Sequence, residues 1–141
     1  MAPRVFISHA QQDRDLVDDL SVRLKHISSD ITLVAPDLKP GQDWSAALLS
    51  ELKKADEILI LLTPNSLHSS HVWLEVGAAT GLGKNVVPIV VGLEDATLPS
   101  WVRNIHFVKY AELNDYLPDL VKRVDKGAVP AQDAPVKAGV V

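Results

Sequence analysis

Short runs of consecutive apolar residues alternate along this chain with longer stretches in which apolar residues recur every three or four positions. Arg4-Val5-Phe6-Ile7-Ser8 reads as a buried strand. Leu16, Leu20, Leu24 and Ile27 put one apolar stripe on a helix from about Asp13 to His26. Ile31 to Val34 predicts a second strand. The loop Pro36 to Gln42, with two prolines and a glycine, leads into a helix near Trp44 to Lys54. Glu57 to Leu62 is a very apolar third strand, His68 to about Leu82 a third helix, and Val86 to Val91 a fourth strand broken by Pro88. A short fifth strand is expected at Ile105 to Val108 and a last helix from about Leu113 to Val124. Connections this long suit right-handed crossovers between parallel strands. The expected fold is α/β: a flavodoxin-like three-layer sandwich, a five-stranded parallel sheet with helices on both faces.

Composition narrows the class. The 141 residues are 47% hydrophobic and 23% charged, enough for one globular domain with a sizeable core. Without cysteine there is no disulfide, thiol nucleophile or cysteine metal site. A net charge of −4 and the lack of a basic patch interleaved with aromatics argue against direct nucleic-acid binding. No apolar run is long enough to span a bilayer, and the N-terminus lacks a signal-peptide pattern, so no membrane association and a cytoplasmic location are expected. From Lys126 the chain is rich in Ala, Pro and Gly without periodicity. That predicts a domain over 1–125 and a flexible linker or tail over 126–141, leading toward a sensor domain outside this sequence.

Within this frame Glu75 stands out as an acid on a largely apolar helix, Ser69-Ser70-His71-Val72-Trp73-Leu74-Glu75-Val76-Gly77-Ala78-Ala79. A carboxylate placed there has to be stabilised or used. Its helix follows the third strand and so starts at the carboxyl edge of the sheet, where open α/β folds bind ligands. The bland alternative is an i,i+4 pair with His71, worth roughly 0.2–0.5 kcal/mol on an exposed helix. His68, His71 and Glu75 share a helical face but lack a fourth ligand, so no metal is expected. Gly81-Leu82-Gly83-Lys84 imitates a phosphate loop, yet a Walker motif needs Gly at Ala78 and Ser or Thr at Asn85; two glycines ending a helix explain it better. A response-regulator receiver would need an aspartate where Thr63 ends strand three and an acidic pair where Ser8-His9 stand. No Gly-x-Ser-x-Gly elbow supports a serine hydrolase.

Val5-Phe6-Ile7-Ser8-His9-Ala10 with Asp13, the Asp37 to Gly41 loop, the apolar third strand and Ser69 through Ala79 together resemble the Toll/interleukin-1 receptor (TIR) domain, particularly its bacterial NAD-cleaving branch. The resemblance spans residues 4 to 124. It implies either NAD⁺ cleavage by a glutamate on the third helix or signalling through TIR–TIR association. In enzymatic members that glutamate sits where Glu75 sits, with a serine six positions earlier, here Ser69, and commonly an aromatic four positions earlier, where this chain has His71. Trp73, two residues along, is the candidate to supply that ring to the substrate, although it lies about 200° round the helix from that face.

The resemblance implies NAD⁺ as substrate, with no cofactor, and nicotinamide plus either ADP-ribose or cyclic ADP-ribose as products. The substrate would lie where Ser8, His9 and Ala10 leave the first strand, the Asp37 to Trp44 loop leaves the second, and the third helix follows the third. Ser8 and His9 either contact phosphate or ribose or cap the following turn. Phe6 reads as core, and Trp44 as a helix-start packing residue or an adenine platform. Activation by self-assembly and a role in antiphage immunity follow from the resemblance alone. So does the opposing possibility, a non-catalytic interaction module.

Overall fold

The computed structural model describes residues 3–35 and 44–125, without the side chains of Trp44, Ser45 and Asp125. Five strands, β1 (Arg4–Ser8), β2 (Thr32–Val34), β3 (Glu57–Leu62), β4 (Val86–Val90) and β5 (Val108–Lys109), form one sheet in the order β2-β1-β3-β4-β5. Every pairing is parallel. The helices are α1 (Arg14–Ile27), α2 (Trp44–Lys54), α3 (Ser70–Gly81), α4 (Ser100–Arg103) and α5 (Leu113–Asp125). This is the expected flavodoxin-like α/β architecture.

The pleat of the strands divides the core in two. Val5 and Ile7 of β1 and Leu59 and Leu61 of β3 pack with α1 and α5 on one face. Phe6, Ile58, Ile60 and Leu62 point the other way, toward α2, α3 and α4. Side chains alternate because successive Cβ atoms leave opposite faces of a strand. β3 is buried at all six positions, as a central strand covered on both faces must be.

Two boundaries and one apolar stripe depart from the expectation by more than a residue. The fifth strand is Val108–Lys109 rather than Ile105 to Val108, because the single-turn helix α4 precedes it and the Ile105 amide still bonds Val102 O at 3.2 Å. One helical turn is too short to leave a period in the sequence. Helix α3 starts at Ser70, with a separate 3₁₀ turn at Ser66–His68 before it. The buried stripe of α1 is Val17, Leu20 and Leu24, while Ile27 is 42% exposed. A 14-residue helix is about 21 Å long and overruns a five-residue strand of about 17 Å.

Of the two glycines expected to stop the helix, Gly81 is the last residue of α3 and Gly83 makes the stop. Gly83 has φ +73°, its amide bonds Thr80 O and the Lys84 amide bonds Ala79 O, both at 3.0 Å, which is a Schellman closure. Lys84 is then free to cap α2, its Nζ donating to the carbonyls of Lys53 (3.0 Å) and Ala55 (2.9 Å). Pro88 is tolerated inside β4 because β5 pairs only with Ile89 and Val90, leaving Pro88 outside that ladder. No described helix is long and apolar enough to cross a membrane.

Candidate active site

Strand order decides where a ligand can enter. From β1 the chain moves to β2 on one side and then to β3 on the other, so the connections diverge at the carboxyl ends of β1 and β3, the switch point at which open α/β sheets bind ligands. Ser8, the last residue of β1, falls on the same side of the pleat as Phe6 and so faces the α2/α3 layer. On α3 the buried stripe is Val72, Glu75, Val76 and Ala79, which places a carboxyl group among core-facing positions. These two geometries meet: the Ser8 hydroxyl donates to Glu75 Oε1.

Glu75 is 5% exposed and Ser8 1%. Burial raises the Glu75 pKa from its ordinary 4.5 to about 7, partly offset by the Ser8 hydrogen bond. No cation balances it among the described residues, and Oε2 accepts no hydrogen bond from them. The His71 pair weighed as the bland alternative does not form, because His71 Nδ1 lies 3.0 Å from Ser69 Oγ instead. Ser69 caps α3, accepting the Val72 amide at 3.4 Å.

A second hydroxyl–carboxylate pair joins the same two strand ends in the opposite direction. Thr63, just past β3, points to the α1 side and donates to Asp13 Oδ2 at 2.5 Å, and Asn65 Nδ2 donates to Asp13 Oδ1 at 2.8 Å. Thr63 Oγ1 also accepts the amides of Asn65 (3.1 Å) and Ser66 (3.2 Å), which folds the turn leading toward α3. Ser8 therefore reaches forward to the helix after β3 while Asp13 holds the turn after β3 to the segment after β1. The sequence had marked Asp13 as part of a resemblance and Thr63 as an obstacle to a receiver fold; their partnership lies 50 residues apart in the chain and has no local signal.

The remaining candidates separate. His9 turns to the other face of β1, its Nδ1 3.4 Å from Ile7 O and its Nε2 3.3 Å from Arg14 Nη1; that guanidinium also donates to Ala35 O at 3.1 Å, joining the exits of β1 and β2. Ala10 is buried at the start of the 3₁₀ turn Gln11–Asp13. Neither Ser8 nor His9 caps a helix by its side chain. Trp73 does not join Glu75: its indole N–H donates to Leu67 O at 3.1 Å and its ring meets Trp101 edge-on at 5.8 Å, within the cluster under α4. Trp73 therefore sits apart from Glu75, as the helical rotation between positions 73 and 75 requires. Asp37, the Pro36 to Gln42 loop and the 126–141 tail lie outside the described residues, as does the side chain of Trp44. Among the described residues no group of three or more His, Cys, Asp or Glu is placed to hold a metal ion.

A family profile described as "TIR domain" matches residues 5–123. Among solved structures, the TIR domain of the Toll-related receptor TRR-2 from Hydra magnipapillata superposes with a TM-score of 0.66 at 15% identity, covering 86% of this chain and 94% of that one. The Clostridium botulinum CMP N-glycosidase BcmB gives a TM-score of 0.57 at 20% identity over 84% and 98% of the two chains. The TIR domains of the activated Roq1 resistosome, which directly recognises the pathogen effector XopQ, give 0.58 at 21% identity over 88% and 76%. At these identities the likeness is one of fold. No curated protein matches the chain.

Proposed function

The chain belongs to the TIR domain family, and on that premise we propose that it is an NAD⁺ glycohydrolase whose catalytic acid is Glu75. The observation that carries this reading is a buried carboxyl group at the switch point of the sheet that, among the described residues, has no counter-cation and is held by a single hydroxyl. Buried acids are ordinarily paired, and those left underpaired in a crevice are candidates for chemistry. One structural neighbour is named as an N-glycosidase, which lends support to the reaction class.

The chemistry needs one acid only. The nicotinamide of NAD⁺ is cationic, so the N-glycosidic bond breaks with its electron pair on the pyridine nitrogen and the leaving group departs neutral. Positive charge develops at the ribosyl C1′, where an ionised carboxylate lowers the barrier. Water then adds to C1′, giving ADP-ribose and one proton. Replacing water by the adenine ring of the same molecule gives cyclic ADP-ribose. Ser8 touches that acid, and His9, Ala10, Asp37, Trp44, Ser69 and His71 are the residues proposed for the substrate side.

Self-association would complete the pocket, in keeping with a neighbour known as the TIR domains of a resistosome. We place the activity in defence against phage, where NAD⁺ depletion disables an infected cell. The test is NAD⁺ incubated with the chain, dilute and then crowded, with products separated by chromatography. Cleavage that appears or grows on crowding is the expected result; no cleavage in any assembled state would instead support a non-catalytic interaction module. The pH profile sharpens the substrate class. Cleavage of NAD⁺ needs Glu75 ionised, so kcat/KM rises with pH through about 7. A neutral nucleobase leaving group would need Glu75 protonated, and kcat/KM would fall over the same range.

A further inference from the structure

We infer that Ser8 is a positioning residue rather than a substrate ligand: its hydroxyl fixes Glu75 Oε1 and leaves Oε2 as the oxygen that meets the reacting carbon. The inference rests on the glycosidase reading of Glu75. It begins with the pleat, which turns Ser8 inward at the end of β1, where it is 1% exposed and cannot face a ligand in the crevice as an open strand end would. Its O–H has one acceptor, the carboxylate on α3, 67 residues on.

The position of Ser8 is itself fixed from both sides. The register of β1 on β3 pairs Ser8 with Ile60, so the hydroxyl height relative to α3 is set by the sheet. Beyond the strand, Asp13 is tied to Thr63 and Asn65, so the segment after β1 cannot lift without breaking two bonds to a carboxylate. A single short side chain on a rigid strand thus holds a carboxyl group whose own helix would allow it several rotamers.

No other described charge does this work. After β1, His9 is turned to Arg14 and Asp13 is bound by Thr63 and Asn65. On α3, His71 is engaged by Ser69. On α2, Glu51 pairs with Arg4 at 2.7 Å, and Lys53 and Lys54 are exposed. A hydroxyl donated to an ionised carboxylate favours that form, so the same bond that orients Glu75 keeps it usable near neutrality.

The experiment titrates the Glu75 side-chain carboxyl by ¹³C NMR in the full chain, as wild type, Ser8→Ala and Ser8→Thr, and measures kcat and KM for NAD⁺ across pH in the same proteins and in Glu75→Gln. In Ser8→Ala the carboxyl titrates about one pH unit higher, as expected for a lost hydrogen bond to a charged group. The midpoint of the kcat/KM profile moves with it, kcat falls about tenfold or more, and KM stays within about twofold. Ser8→Thr, which keeps the hydroxyl, restores both midpoints. An unchanged titration in Ser8→Ala, or a loss confined to KM, overturns the inference. Cleavage surviving in Glu75→Gln overturns the reaction assignment and Ser8's catalytic role with it, whereas the NMR titration by itself decides whether Ser8 controls the carboxylate.

Discussion

Two glutamates are buried in this domain, and they are treated in opposite ways. Glu57, the first residue of β3, lies at the amino edge of the sheet; Glu75 lies at the carboxyl edge on α3. They are 3% and 5% exposed, and burial raises both pKa values. Glu57 is answered on every side: Arg123 Nη2 donates to Oε1 at 2.6 Å, Arg123 Nε approaches Oε2 at 3.4 Å, and Asn85 Nδ2 donates to Oε1 at 2.7 Å. Arg123 is itself braced by the Tyr116 hydroxyl at 3.0 Å. Glu75 receives, from the described residues, one serine hydroxyl. Similar burial with such different company separates an acid that locks α5 to the sheet from the one proposed as the catalytic acid.

The sharpest way to break this contrast is to neutralise each acid in turn. Glu75→Gln should cut NAD⁺ cleavage by about 10³-fold or more, since in the proposed reaction the carboxylate supplies the charge opposite C1′. The check is product chromatography on folded protein. Arg123→Met leaves Glu57 buried without its cation and should lower stability by about 3 kcal/mol in urea denaturation. Cleavage per folded molecule should then stay within about twofold. Were Arg123→Met to abolish cleavage in protein that is still folded, the division of labour between the two acids would be wrong.

The pH dependence of stability sharpens it further. Glu75 holds a proton in the folded state up to about 7 but loses it near 4.5 when unfolded, so the folded form binds more protons between those values. Stability therefore falls as pH rises through that window, by an amount on the order of 3 kcal/mol from this group, and the loss is complete above about 7. Glu57 contributes a slope of the same sign in both wild type and Glu75→Gln, so the difference between their urea midpoints across pH isolates Glu75. A smaller effect is expected at the clasp. Thr63→Val removes one donor to Asp13 and should cost about 1–2 kcal/mol, with cleavage reduced severalfold because the turn toward α3 loosens. Smallest is Trp73→Phe, which keeps an aromatic ring in the cluster but loses the bond to Leu67. It should change cleavage less than twofold and stability by about 1 kcal/mol in thermal unfolding.

The contrast was only half legible in the sequence. Glu75 could be singled out because its helix is otherwise apolar, and the order of strands and helices put that helix at the ligand-binding edge. Glu57 read simply as the start of an apolar strand, since its partner Arg123 comes 66 residues later on α5 and nothing local ties the two. The Ser8–Glu75 bond was likewise out of reach. It depends on the strand order and on the pairing of Ser8 with Ile60, which set the meeting of β1's end with α3. Trp73 was a candidate because the family's aromatic position holds His71 here, but a helix turns nearby positions to different neighbours, and the Trp73 ring packs edge-on against Trp101 of α4.

The most direct measurement pairs activity with stability in one variant: NAD⁺ cleavage and the thermal midpoint of Glu75→Gln beside wild type at pH 8, where Glu75 is largely ionised. Loss of cleavage together with a raised midpoint is the predicted result, because the substitution removes a buried charge that serves the reaction at the expense of the fold. Retained cleavage, or cleavage lost along with a lowered midpoint, would show that Glu75 is a structural acid like Glu57.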